Sequence, residues 1–192
     1  MEKLIASALD TSKITVASPS EQTRQLCLEL NIPTIPLEQV KKFDLAFDGC
    51  DSLDHQLNVL KSNGGIHTTE RLYANLAQRY IIMAPISRYT EKLNSDIPLT
   101  LEVLELAIPQ ILSSVKNLGG TASVRQSQDM AGMVRTQNGN GLIDCYFSDW
   151  EKITSINERL LGMTGVVGTS YFKDVVTDAL LADGETIKHL TK

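Results

Sequence analysis

The sequence predicts an α/β chain in which a Rossmann-like parallel-sheet domain, residues 1–92 plus 173–192, carries a smaller ferredoxin-like α+β domain, residues 93–172. Two observations predict it. In the first half, short apolar runs of strand length alternate with helical patterns, the order that produces a parallel sheet covered by helices. From about Asn94 the order becomes β-α-β-β-α-β, that of a split βαβ unit. With 192 residues and 42% hydrophobic content, the chain is long enough to bury a sizeable core.

The elements follow in chain order. Leu4, Ile5, Ala8 and Leu9 share one helical stripe, and "KITVAS" alternates Ile14 and Val16 as a short strand. "SPSEQTRQLCLEL" opens as a helix, with Ser18 placed to cap, Pro19 at the first helical position and Glu21 completing an S-x-x-E box. That helix should stop near Asn31 and Pro33. A strand at Thr34 and Ile35, a one-turn helix over Leu37 to Val40 and the strand "FDLAF" continue the alternation. "TTERLYANLAQRY" places Leu72, Tyr73, Leu76, Ala77 and Tyr80 at helical spacing and leads into the strand "IIMA". In the second unit the strands are "IPLTLEVLEL", "TASVRQ", "LIDCYF" and "GVVGTSYF". Its helices are "AIPQILSSVKNLGG", closed by two glycines, and "WEKITSINERLLGM", headed by a packing Trp150. The tail, "KDVVTDALLADGETIKHL", should return a strand and a short helix to the first sheet.

Charge narrows the function. A net charge of -5 and a pI near 5.2 leave no basic patch for nucleic acid or an anionic membrane. No run approaches the roughly 20 apolar residues of a spanning helix, and "MEKLIASALD" has no leader pattern, so the expected location is cytoplasmic. Cys27, Cys50 and Cys145 lack metal or disulfide spacing and read as packed thiols; carboxylates beside Cys50 would oppose a thiolate. His55 and His189 have no partners at ligand spacing, and His67 reads as a solvated loop histidine near Glu70.

The stretch "FDLAFDGCDSLD" carries the chemistry. Asp48 falls just past a strand end, where ligands gather in open parallel sheets, and Gly49 lets the chain turn. Downstream, Lys61 precedes the pair Gly64 and Gly65 in a flexible loop, and Glu70 lies in the first turn of a helix. Each also has a structural reading: Asp48 and Asp51 as turn caps, Glu70 as a helix-dipole acid, Lys61 as a solvated lysine. A metal cage of Asp48, Asp51 and Asp54 ranks below both, because the glycine and closing glutamate of a calcium loop are missing. Asp54 reads as a solvated bystander.

The spacing resembles the type A ribose-5-phosphate isomerases, whose signature is D-G-A-D-E, then K-G-G-G, then R-E-K. Asp48, Gly49 and Asp51 fill the first element, Lys61 lies ten residues beyond Asp51, and Glu70 nine beyond Lys61. "TQNGNGLID" is similar to the family's T-D-N-G-N-x-I-L-D, "PLTLEV" to P-L-P-V-E-V, "GVVGTSYF" to G-V-V-x-x-G-L-F, and "VASPSEQT" to V-x-S-S-E-x-T. The resemblance implies an α/β domain with a ferredoxin-like lid and an aldose-ketose isomerase that interconverts ribose 5-phosphate and ribulose 5-phosphate through an enediolate, without a metal or organic cofactor. It makes Glu70 the carbon base, Asp48 the group for oxygen protons and ring opening, and Lys61 the stabiliser of the enediolate. Asp51, Gly64, Gly65 and Arg88 would bind substrate.

Departures from the family pattern qualify this. Cys50 and Ser52 stand where Ala and Glu are expected, Ser62 and Asn63 interrupt the glycine run, Gln137 replaces an aspartate, and Pro85 and Arg88 stand in the D-x-S-K segment. Arg88 keeps a positive charge suited to bidentate phosphate binding. The family's phosphate-cradling G-T-G-S-T loop has no counterpart, and the chain is expected to begin inside the helix that follows it. The alternative is therefore a sugar-phosphate-binding or assembly protein of low or no activity. A sheet edge without its strand also leads to the expectation of a homodimer or larger homo-oligomer.

Overall fold

The computed structural model describes residues 10–192; the expected opening helix of Leu4, Ile5, Ala8 and Leu9 lies outside them. Helix α1 (Glu21–Glu29) is capped by Ser20, whose Oγ accepts from the Thr23 N–H at 3.2 Å. The expected cap, Ser18, instead accepts from the Ser20 N–H. Ser20 has the extended backbone of a capping position, which leaves Pro19 outside the helix. Past α1, Asn31 takes a left-handed φ of 54° and ends the helical run where expected. The strand expected at "KITVAS" reduces to one parallel bridge between Val16 and Thr34.

Strand β1 (Ala46–Asp48) is followed by β2 (Ser52–Leu53), β3 (Val59–Leu60), α2 (His67–Leu76) and β4 (Tyr80–Pro85). The expected helix to Tyr80 stops four residues short, because sheet pairing claims the backbone. Phe43 bridges Ala77, and the Gln78 N–H donates to the Phe43 carbonyl at 2.8 Å. Tyr80 thus opens β4, opposite Ala46 of β1. The segment after β1 is ordered too: β2 and β3 form an antiparallel pair whose buried residues join the core.

The second unit contains β5 (Leu99–Val103), α3 (Ile108–Asn117), β6 (Thr121–Val124), β7 (Gly141–Tyr146), α4 (Ile153–Leu161) and β8 (Val166–Thr169). Its sheet order, β6-β7-β5-β8, is fully antiparallel and matches the ferredoxin-like arrangement. "GVVGTSYF" does not stay in one sheet. After β8 the chain passes buried Ser170, and β9 (Tyr171–Phe172) joins β2 and β3 in a separate three-stranded sheet.

The tail forms β10 (Asp178–Asp183), the expected strand returning to the first sheet, and β11 (Thr186–Thr191), a second hairpin strand in place of the expected short helix. Gly184, at φ 60°, takes the first of two loop positions, where a tight hairpin turn calls for glycine. β10 runs parallel to β4, giving the main sheet order β1-β4-β10-β11. Two apolar cores result. One surrounds β5, β7, α3 and α4 with Trp150, and the other packs Leu53, Val59, Tyr80, Ile82, Phe172 and Leu181. Among the described residues no helix is long and apolar enough to cross a membrane.

Candidate active site

Asp48 is the last residue of β1, at the carboxyl end of the parallel strands rather than beyond it. Gly49 keeps an ordinary backbone conformation and contributes main-chain groups: its N–H donates to Asp48 Oδ1 at 2.8 Å. Lys61 follows β3 and folds back so that its Nζ lies 2.8 Å from Asp48 Oδ1, 2.7 Å from the Gly49 carbonyl oxygen and 3.4 Å from Glu70 Oε1. Its side chain is only 8% exposed, so the expected solvated alternative is excluded. An ammonium has three donors, and these three acceptors occupy them. Glu70 holds the longest contact.

Glu70 is positioned by the first turn of α2, its N–H bonded to the Ile66 carbonyl at 2.9 Å. Burial pushes its carboxyl up to about 7; Lys61 pulls the other way and Asp48 adds to the rise. A carboxylate that titrates near neutrality beside a lysine is a recurrent acid/base arrangement. One further donor comes from a residue that the helical spacing had assigned to α2. Tyr80 is 3% exposed and its hydroxyl donates to Asp48 Oδ2 at 3.2 Å.

The three aspartates of "FDGCDSLD" do not converge. Asp51 turns to the Lys61 loop: Oδ2 accepts from the Ser62 and Asn63 N–H groups at 2.7 and 2.9 Å, and Oδ1 from Asn63 Nδ2 at 2.7 Å. Asp54, far from being solvated, is buried and closes its own turn, accepting from the Gln56 and Asn58 N–H groups and from Asn58 Nδ2. The loop expected to be flexible is held fast. Ser62 is fully buried and donates to the Pro98 carbonyl, so its side chain fills space within the interrupted glycine run. Gly65 adopts φ 67°, and a Cβ there would sit 2.7 Å from Leu142 Cδ1; at Gly64 the nearest contact would be an ordinary 3.8 Å.

Arg88 sits on a short turn at the rim, its side chain 42% exposed, donating to the Cys50 carbonyl and lying 4.0 Å from Asp51 Oδ1. Cys50 is buried, and burial, ahead of any neighbouring acid, pushes its thiol up to about 12; Lys61 and Arg88 only partly offset this. It is a neutral thiol at neutral pH.

Two arrangements escaped sequence reasoning because they join distant segments. Arg125 of the small sheet pairs with Asp144 through Nε and Nη2 and donates to the Ser62 and Asn63 carbonyls, pinning the Lys61 loop to the second unit. Glu102 of "PLTLEV" accepts from Thr136, Asn138 and Asn140 of "TQNGNG", so two separately recognised motifs form one brace. Burial raises the Glu102 carboxyl, but the neighbouring Thr68 hydroxyl and the Asn140, Thr136 and Asn138 side chains outweigh it and leave it lowered. His67, expected to be solvated, is fully buried, and among the described residues neither ring nitrogen makes a hydrogen bond of ordinary geometry. Burial lowers it to about 4, so it is neutral.

Comparison with known proteins places this geometry. Residues 15–186 match the family model described as ribose 5-phosphate isomerase A (phosphoriboisomerase A). A ribose-5-phosphate isomerase A of Prochlorococcus marinus (strain MIT 9312) is 34% identical over 94% of this chain and 78% of its own length. That of Roseiflexus sp. (strain RS-1) is 32% identical over 93% and 76%. The solved ribose 5-phosphate isomerase A of Methanocaldococcus jannaschii superposes with a TM-score of 0.85 at 26% identity, over 92% of this chain and 77% of that one. A D-ribose-5-phosphate isomerase solved in complex with phospho-erythronic acid superposes at 0.92 and 27% identity, over 100% and 82%. With the family model spanning nearly the whole chain and a buried lysine between two carboxylates at the sheet's carboxyl edge, this chain belongs to the ribose 5-phosphate isomerase A family.

Proposed function

We propose that the chain interconverts ribose 5-phosphate and ribulose 5-phosphate, with Glu70, Asp48 and Lys61 handling protons and charge. The observation that carries this reading is the Lys61 ammonium held between Asp48 and Glu70. In the open-chain aldose, ionised Glu70 takes the C2 proton. The C–H electron pair forms the C1–C2 double bond, and the carbonyl π pair moves to O1. Lys61 stabilises that developing oxyanion. Asp48 carries the proton from O2 to O1, and Glu70 returns its proton to C1, giving the ketose. The same Asp48 takes the O1 proton when the hemiacetal ring opens: C1–O4 breaks as C1=O1 forms, and Asp48 passes the proton to O4. Atoms and charge balance, and every proton stays on the substrate or these groups.

The three-acceptor environment of Lys61 gives this sequence of steps a physical order. Glu70 makes the longest of the three contacts, so as Glu70 takes the proton and charge develops on O1, Lys61 turns from Glu70 to the oxyanion. That removes the contact holding the Glu70 carboxyl down and helps it keep the proton until it is delivered to C1. Asp51 acts through the loop, holding Ser62 and Asn63 so that Lys61 is aimed; Gly64 and Gly65 present backbone, and Arg88 offers a rim guanidinium for the phosphate. Self-association is part of the proposal. Phe47, Met83 and Ile187 are exposed on one face of the main sheet, a surface suited to a second copy.

The test is turnover. Purified protein incubated with ribose 5-phosphate should form ketose, and Glu70→Gln should lower kcat by at least about a thousandfold while the protein stays folded. No ketose from the unaltered chain, or equal rates in both, overturns the reading and leaves a binding protein.

A further inference from the structure

We infer that Tyr80 is a positioning residue for Asp48, and that its hydroxyl fixes the orientation of the group that moves the substrate's oxygen protons. This rests on the isomerase reading for its consequence in catalysis, and on geometry alone for the coupling. Tyr80 and Ala46 are partners across β4 and β1, so Tyr80 projects on the same sheet face as Ala46 and Asp48. Residues two apart on one strand are separated by about 6.6 Å. A tyrosine directed along the strand spans that distance, and its hydroxyl ends 3.2 Å from Asp48 Oδ2. No smaller side chain at position 80 could.

The two Asp48 oxygens therefore have separate partners. Oδ1 accepts from the Gly49 N–H and Lys61 Nζ, both at 2.8 Å, and Oδ2 accepts from Tyr80. The ring itself cannot drift. It is buried, packs against Phe172 at a centroid distance of 6.4 Å, and Phe172 is covered on another side by the Arg71 guanidinium 4.3 Å from its centroid. The tyrosine O–H is accordingly a fixed donor aimed at one carboxylate oxygen. The charged or titratable groups around Asp48 are Lys61 beyond β3, Glu70 on α2, Cys50 and Asp51 after β1, and Tyr80 itself. Of these, only Lys61 and Tyr80 donate to it.

Tyr80→Phe removes the donor and keeps the ring. Because the bond is longer than the two at 2.8 Å, and Asp48 is 28% exposed so that water can replace the lost donor, the effect is modest. We expect kcat on ribose 5-phosphate to fall about three- to tenfold with KM within about twofold. The isotope effect of C2-deuterated ribose 5-phosphate should shrink, since an oxygen-proton step now limits more of the rate. Thermal unfolding should be unchanged. An unaltered kcat and isotope effect, or a loss of activity that tracks a loss of thermal stability, overturns the inference. The coupling is also read without turnover. In the free protein at one fixed neutral pH, the carboxyl-carbon resonance of Asp48 should move in Tyr80→Phe relative to the parent chain, because one oxygen loses its hydrogen-bond donor, and coincident resonances overturn it. An inactive parent chain with a moved resonance sinks the isomerase reading and keeps the coupling; an active parent chain with coincident resonances does the reverse.

Discussion

Glu70 carries its proton up to about pH 7 because water has been stripped from a carboxylate that Lys61 only partly compensates. Two consequences follow at the scale of the residue. As a base it must be ionised, so kcat/KM should rise with pH through about 7, and a profile flat from pH 5 to 8 would contradict the assignment. The stability effect has the opposite sense. A folded-state value raised above the ordinary 4.5 means that the native state holds the proton more tightly, so this group's contribution is full below 4.5 and is lost as pH rises through 7. Glu70→Gln should therefore be more stable than the parent chain at pH 8, by on the order of 1–3 kcal/mol in urea unfolding, while losing activity. Gain of stability with loss of function marks a group whose burial serves chemistry. The spacing of Asp48, Lys61 and Glu70 was legible along the chain, and the resemblance gave Asp48 and Asp51 different roles; the partners of Asp51 were not legible, because both acids sit in one run and only the fold directs Asp51 to the Ser62 and Asn63 amides.

At the scale of the element, α2 must be seated for Glu70 to reach Lys61, and β8 provides the seat. Gly168 faces Thr68, and a Cβ there would lie 2.3 Å from Thr68 Oγ1, 3.0 Å from its Cγ2 and 3.1 Å from its Cβ. Rotating Thr68 exchanges one clash for another, so the helix has to move. Gly168→Ala should cost about 1–3 kcal/mol of stability and lower kcat at least tenfold, measured by chemical unfolding and turnover together. His67, one residue before Thr68, shows the reverse case. Among the described residues its buried ring nitrogens make no hydrogen bond of ordinary geometry, and burial depresses its value from 6.5 to about 4. The neutral ring is favoured, so its stabilising share is full above 6.5 and is lost as pH falls through 4. His67→Leu, of similar volume and without unpaired polar atoms, should unfold at higher denaturant than the parent chain at pH 7, with the gap widening toward pH 4. The position of α2 was legible from its apolar stripe; its end was not, since helical spacing reached Tyr80 while pairing of Ala46 with Tyr80 across the sheet claimed that residue for a strand.

For the whole molecule, the main sheet and the ferredoxin-like sheet are fastened at the Lys61 loop by Arg125, which is paired with Asp144 and bonded to the Ser62 and Asn63 carbonyls. Arg125→Met strands Asp144 in a site 14% exposed and frees the loop, so it should destabilise by about 3 kcal/mol and reduce kcat more than it raises KM. Equal stability in urea would remove Arg125 from this role. The alternation of strand and helix, the split βαβ order and the register of Asp48, Lys61 and Glu70 are properties of neighbours in the chain, and they were readable because periodicity and spacing are local. In the tail the returning strand was legible and its hairpin partner was not, although the Asp183–Gly184 pair is a turn signal, because that second strand is exposed along most of its length and lacks a clear apolar alternation. What the sequence by itself determined is the α/β architecture, the family and the register of Asp48, Lys61 and Glu70. Only the tertiary structure decided that Asp54 closes a turn, that His67 is buried, that Tyr80 belongs to the site and that Arg125 ties two sheets together. Each of those depends on contacts between segments far apart in the chain, whose hydrogen bonds exist only after the two cores have packed.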